Sequence, residues 1–302
     1  MALPPRDRDI LRLLRRYVYL RTNQIRDALI PHDDDGAITR GRMRKLAAAG
    51  LVRRYQPKLV DELGTTPPVF VLTLKGSSVL VAECNDRTQL LEVEPKFDDW
   101  MSLNHYCGLA AFHLLLDKAI ADQTAVKLHH LYFEHEVIRP DQSDPAKKYR
   151  LYTVVTETPR IVCVPDSAFE TEYMGYRRAW YVERETGSDT PARVASKKAK
   201  GYAGFQTTQL YRRHFPLAND FRVLALCPSP AWRDALRREM KDKPGSDAWL
   251  FASQTDVRAE SILHGPIWSK LDRDGLALVP APTPALAPAA ELPAGAPAEA
   301  HV

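Results

Sequence analysis

The sequence predicts a mixed α+β and α/β protein in two folded parts. A small, basic, helix-rich N-terminal unit with a helix-turn-helix and a wing precedes a larger α/β domain and a disordered tail. Three observations carry this reading. Apolar residues recur at helical spacing in three short segments before Gly50, and beyond Trp100 amphipathic helices alternate with short apolar runs. From about Leu276, "LALVPAPTPALAPAAELPAGAPAEAHV" is rich in Pro and Ala and has no apolar period.

A length of 302 residues suits about two domains. The expected boundaries are 1–83 for the first unit, 84–100 for a linker, 101–275 for the second domain and 276–302 for the tail. No apolar run approaches the ~20 residues of a membrane span, and "MALPPRDRDI" is charged where a signal peptide is apolar, so the protein is read as cytoplasmic. Cys84, Cys107, Cys163 and Cys227 are too scattered for a zinc spacing or a disulfide framework.

In "RDRDILRLLRRYVYL" Ile10, Leu13, Leu14 and Tyr17 form one helical face, with arginines opposite. Thr22 can cap a second helix carrying Ile25, Ala28 and Leu29, which stops before Pro31. "HDDDG" is a turn. A third helix, "AITRGRMRKLAAAG", places Met43, Leu46 and Ala47 inward, turns Arg40, Arg44 and Lys45 elsewhere, and ends at Gly50. The strands "LVRRY" and "VFVLT" flank a polar tip to make the wing, and a fourth helix starts near Lys75.

The second part opens on a long helix in which Leu103, Leu109, Phe112, Leu115 and Leu116 cover most of the surface. "AVKLHHLYFEHEVIRP" contains a strand, and "KKYRLYTVVTET" is a loop or edge strand. Two apolar strands follow in "RIVCVPDSAFETEYMGYRRAWYVERET". A basic helix, the strand "FRVLALCPS", the helix "PAWRDALRREMKD" and the strand "AWLFASQTD" complete an α/β core.

Charge is unevenly spread. Residues 1–83 carry 15 Lys and Arg against 9 Asp and Glu, although the whole chain is only +4. The order of three helices and two strands resembles the winged-helix proteins that bind duplex DNA. The resemblance implies a third helix in the major groove, with Arg40, Arg42, Arg44 and Lys45 facing the bases while Arg53, Arg54 and Lys58 follow the phosphates. A solvated basic face used for protein contact is the other reading.

Asp166, Glu183 and Glu185 pose the second question, since acids close two strands apolar enough to be buried. They are either strand-end solubilisers or a convergent divalent-metal site. Phosphodiester cleavage develops negative charge that carboxylate-bound Mg²⁺ can stabilise while supplying hydroxide, and Glu183 and Glu185 share a strand face at period two. "HHLYFEHE" reads as a polar strand surface, because His129, Glu134 and Glu136 cannot all share a face. Neither a Gly-rich phosphate loop nor a Gly-x-Ser-x-Gly elbow is present.

"RMRKLAAAGLVRR…VFVLTLKG" resembles the winged-helix proteins that bind duplex DNA, over residues 6–83. Pro165-Asp166, then Glu183-Arg184-Glu185, resembles the Pro-Asp…(Asp/Glu)-x-Lys signature of the restriction-endonuclease-like fold. Across about residues 8–270 the chain resembles the bacterial replication-relaxation family, associated with replication and relaxation of plasmid DNA. The resemblance rests on the ordered motifs "LNH", "VPDSAF", "YVERET" in place of a usual Glu-x-Asp-Arg-x-Thr, "KKAKGY", "VLALCPSPAWRDAL" and "GPIWSK".

The resemblance implies a plasmid or mobile-element protein that binds DNA and nicks or cleaves it with Mg²⁺ or Mn²⁺ on Asp166, Glu183 and Glu185. Its implied partners are double-stranded DNA, other replication or conjugation proteins, and a second copy of the chain. Glu185 stands where the signature has lysine, so Lys197 or Lys200 of the following helix would supply the catalytic ammonium, with His105 as a polar member. The alternative for Lys197, Lys198 and Lys200 is a basic surface against phosphates, and for His105 it is a structural role. The alternative for the whole is a non-catalytic DNA-binding protein or transcriptional regulator of a mobile element with a degenerate nuclease-like domain. Truncation after Asp274 is expected to leave the melting temperature almost unchanged.

Overall fold

The computed structural model describes residues 3–56, 67–95, 100–121 and 123–280. It is a mixed α and β structure, and no helix among the described residues is long and apolar enough to cross a membrane.

The chain starts with α1 (Pro5–Tyr17), β1 (Leu20–Arg21), α2 (Thr22–Leu29) and α3 (Ala37–Ala48), followed by β2 (Val52–Tyr55), β3 (Val69–Leu72) and α4 (Leu74–Cys84). Buried Ile10, Leu11, Leu14 and Tyr17 show why α1 forms where the apolar period lies. Asp33 sets the start of α3, accepting from Thr39 N at 2.7 Å and from Ile38 N at 3.1 Å. β3 lies between β1 and β2, antiparallel to both. Of the expected wing, the strands are described; its tip, residues 57–66 with Lys58, lies outside the described residues.

The second part contains α5 (Trp100–Ala121), β4 (Val126–Phe133), α6 (Pro145–Lys148), β5 (Thr153–Glu157), β6 (Arg160–Cys163), β7 (Ser167–Tyr173), β8 (Tyr176–Arg184), α7 (Pro191–Thr208), β9 (Asp220–Cys227), α8 (Pro230–Met240) and β10 (Trp249–Ser253). Five strands form one sheet in the order β10-β9-β8-β7-β4. β4, β7 and β8 are antiparallel neighbours, whereas β8, β9 and β10 run parallel. Alternation sends Phe169, Trp180, Val182, Leu224 and Leu226 into a core with α5 and α1, while Tyr181, Val223, Ala225 and Phe251 pack with α7 and α8.

Two expectations are corrected. The stretch expected to hold two strands, the first ending on Asp166, holds three: β6 pairs with β5 and ends at Cys163, then Pro165 intervenes and β7 and β8 join the main sheet. Proline has no N–H to give to a ladder, which fits a break there. Asp166 therefore precedes a strand. Residues 276–280, expected as tail, belong to the body: Leu276 pairs with Trp268, and Leu278 and Val279 are buried. Residues 281–302 lie outside the described residues.

Part of the expected linker is also packed. Arg15 donates to the carbonyls of Gln89 and Thr88 at 3.1 and 3.0 Å, and Arg53 pairs with Glu94.

Candidate functional site

β7 and β8 form a hairpin whose turn, with Gly175 at φ +79°, lies far from Asp166. Antiparallel pairing sets Ser167 against Val182, so the residue before β7 meets the residues ending β8. Asp166 Oδ2 accepts the backbone N–H of Arg184 at 2.6 Å. This is why strand-end acids that are distant in sequence converge.

All three acids are buried: Asp166 and Glu185 are 8% exposed and Glu183 only 1%. Their shared neighbour is Lys198, from the inner face of α7. Its Nζ contacts Glu183 Oε2, lies 3.4 Å from Glu185 Oε1 and lies 3.9 Å from Asp166 Oδ1. Tyr202 donates its hydroxyl to Glu183 Oε1 at 2.5 Å. Burial works to lower the Lys198 ammonium, but Asp166, Glu183 and Glu185 raise it well above the usual lysine range. Burial pushes Glu183 up to about 8, with Asp166 adding to it and Lys198 opposing it.

The cluster extends beyond the expected trio. Phe133 pairs with Ser167, so Glu134 comes opposite Asp166, and its N–H donates to the Asp166 carbonyl at 3.0 Å. Burial first, and Asp166 second, push the Glu134 carboxyl up to about 7. His105 of α5 brings Nε2 within 3.5 Å of Asp166 Oδ2, and burial lowers its imidazole below the ordinary range. Of the rest of "HHLYFEHE", His129 bonds Glu172 at 2.9 Å and Glu136 bonds Arg150 at 2.7 Å, while His135 packs edge-on against Tyr106, which also contacts His105.

The lysine among the acids is Lys198, where Lys197 or Lys200 was expected. Lys197 points outward to Asp189 at 3.0 Å, and Lys200 is exposed. Lys198 lies four residues from both Val194 and Tyr202, on the buried face of α7. That spacing was visible in the sequence. Glu134 carried no such signal, since strand pairing alone brings it to Asp166.

The donor chemistry suits a hard divalent cation, because carboxylate oxygens outnumber the one ammonium among them and Glu185 Oε1 is buried without a hydrogen bond. The spacing as it stands is that of a carboxylate–ammonium cluster. Among the described residues no group of three or more His, Cys, Asp or Glu side chains is arranged to hold a metal ion. An ion would have to displace Lys198 Nζ from among the oxygens.

On the N-terminal unit Arg40, Arg44 and Lys45 are exposed on α3, and Arg54 is exposed on β2. Arg42, expected on the same outward face, turns back to Asp7 of α1 at 2.6 Å. Arg53 is exposed but paired with Glu94.

Fold and cluster together define a mixed α and β protein with exposed cations on one helix of its N-terminal unit and a buried carboxylate–lysine cluster at one end of its main sheet. The chain belongs to the replication-relaxation family, whose model matches residues 11–217. No curated protein and no solved structure matches it.

Proposed function

We propose that this is a DNA-binding protein of plasmid or mobile-element replication or relaxation, and that its buried cluster performs divalent-metal chemistry on a phosphodiester. The observation that carries the reading is the convergence of Asp166, Glu183, Glu185 and Lys198 at the end of β8. Residues 1–83 act as a winged helix in which α3 offers Arg40, Arg44 and Lys45 to duplex DNA, with Arg53 and Arg54 near the phosphates. Residues 101–275 act as a restriction-endonuclease-like domain.

Asp166, Glu183 and Glu185 would hold Mg²⁺ or Mn²⁺, which would stabilise developing negative charge and lower the pKa of a bound water. Lys198 replaces Lys197 and Lys200 in the proposed site. Displaced from among the acids, its ammonium is the group on hand to neutralise a phosphate oxygen, and Tyr202 keeps Glu183 oriented.

Incubation with supercoiled plasmid tests this. Wild type should give open circles with Mg²⁺ or Mn²⁺ and none in chelator, while Asp166→Ala and Lys198→Met should give none under either condition. One observation favours a second reading, a DNA-binding regulator that does not cut: Lys198 Nζ already occupies the space among the three acids. Wild type that shifts duplex DNA yet leaves plasmid supercoiled with both ions would establish that reading over the first.

A further inference from the structure

Arg184 lies between Glu183 and Glu185 in the chain but on the other face of the sheet, towards α5. There its guanidinium lies against the helix backbone. A Cβ on Gly108 would stand 2.1 Å from Arg184 Cζ and Nε, so this helix has room for the arginine only because position 108 has no side chain. Glycine weakens a helix interior. Here it accommodates a cation.

Arg184 Nη1 is buried without a hydrogen-bond partner. Asp166 is the acid that acts on this guanidinium, but its carboxylate already receives the Arg184 backbone N–H and faces His105 and Lys198. Arg21, the residue before α2, is a second cation acting on Arg184, and it donates to Asn104 Oδ1 of α5 at 2.9 Å. Asn104 and Gly108 are one helical turn apart on α5. Beside them Gln24 of α2 donates to the Cys107 carbonyl at 2.8 Å. Arg21, Asn104, Gly108 and Arg184 are all partly exposed, so solvent reaches this seam between the N-terminal unit and the acid cluster.

Two neighbouring guanidiniums, one with a buried N–H lacking an acceptor, make a site for an oxyanion. A planar fork of donors matches the oxygens of a phosphodiester. We propose that Arg184, with Arg21 beside it, binds a backbone phosphate of duplex DNA in this seam. Resting on the DNA-binding reading above, the assignment gives that DNA a contact between the proposed reading helix and the acid cluster.

The test is equilibrium binding of a short fluorescent duplex in chelator across a series of salt concentrations, with melting curves confirming that each variant is folded. Arg184→Gln should weaken binding about tenfold and reduce the salt dependence by about one released counterion. Gly108→Ala keeps every charge but takes the place of the guanidinium, and should weaken binding to a similar degree. Arg184→Lys, the conservative variant, should recover part of the loss. Wild-type affinity and salt slope in both Arg184→Gln and Gly108→Ala overturn the proposal. If Arg40→Ala with Arg44→Ala then still weakens binding, only the Arg184 assignment falls; a wild type that does not bind the duplex removes the DNA-binding reading as well. Should Arg184→Gln fail to fold, Gly108→Ala and Arg184→Lys decide the matter.

Discussion

His113 and His214 are polar side chains held inside apolar surroundings by hydroxyl partners. His113 Nε2 bonds Ser167 Oγ at 2.8 Å, while His214 uses both ring nitrogens, with Tyr181 OH at 2.9 Å and Thr153 Oγ1 at 3.1 Å. Burial lowers His113 to about 3 and His214 to about 4, so both are neutral in the folded chain at pH 5. Unfolded histidine takes up a proton near pH 6.5. Between that value and about 4 the unfolded state binds protons that the native state refuses, so stability is lost as the pH falls. Each histidine should cost about 2 kcal/mol by pH 5. Glu134 and Glu183 act in the opposite sense: pushed up to about 7 and about 8, they keep protons that the unfolded chain releases, and they destabilise as the pH rises. A comparison with His214→Gln isolates the histidine. Denaturant titrations at pH 7 and pH 5 should show a smaller acid loss in that variant, even if it is less stable overall, and parallel losses would refute the buried-neutral assignment. Neither histidine was legible as buried in the sequence, because Ser167 and Tyr181 reach them only through sheet pairing and helix packing.

At the scale of elements, most helices were legible because an apolar stripe and a stop residue agree, as Met43, Leu46 and Gly50 do for α3. β1 was not legible: two residues have no periodicity, and Leu20 is a strand residue only because Phe70 pairs with it. Helical glycines were equally silent, since sequence cannot tell which of them faces backbone. α4 begins against the turn after α3, where Thr73 Oγ1 donates to the carbonyls of Gly50 and Leu51 at 2.7 and 3.0 Å. A Cβ on Gly76 would stand 2.1 Å from the Leu51 carbonyl oxygen and 2.7 Å from Leu72 Cδ1. On α3 a Cβ at Gly41 would meet nothing within 4 Å. Gly41→Ala should therefore stabilise by roughly 0.5 to 1 kcal/mol through helix propensity. Gly76→Ala should destabilise by about 2 kcal/mol or more, because the oxygen belongs to backbone that must shift. Urea titrations measure both. A stabilised Gly76→Ala would mean that α4 does not pack on the Leu51 carbonyl.

Across the whole molecule one apolar cluster runs from Ile10 and Leu14 of α1, through Leu109 and Leu116 of α5 and Trp180 and Leu224 of the sheet, to Leu278 and Val279. Arg16 reinforces the joint between the two parts by pairing with Asp117 of α5 at 2.8 Å. This continuity was not legible in the sequence, because no local period records a contact between residues far apart in the chain. The C-terminal segment shows the consequence. In composition Leu276, Leu278 and Val279 resemble the Pro- and Ala-rich stretch that follows them. In the fold Leu276 exchanges backbone hydrogen bonds of 2.8 and 3.1 Å with Trp268, and the Val279 N–H donates to the Leu263 carbonyl at 3.0 Å. His264 Nδ1 also lies 3.1 Å from the Val279 carbonyl. Leu278 and Val279 are 6% and 4% exposed, and burying two such side chains is worth about 3 to 5 kcal/mol. Truncation after Asp274 should thus lower the melting temperature by several degrees, by exposing Trp268, Leu263 and the carbonyl partners of the missing segment. Truncation after Pro280 removes a stretch with no apolar period and should leave the melting temperature within about a degree of the full chain. Thermal denaturation of the two truncations beside the full chain separates the contributions, and equal melting temperatures for all three would show that residues 275–280 contribute nothing to the core.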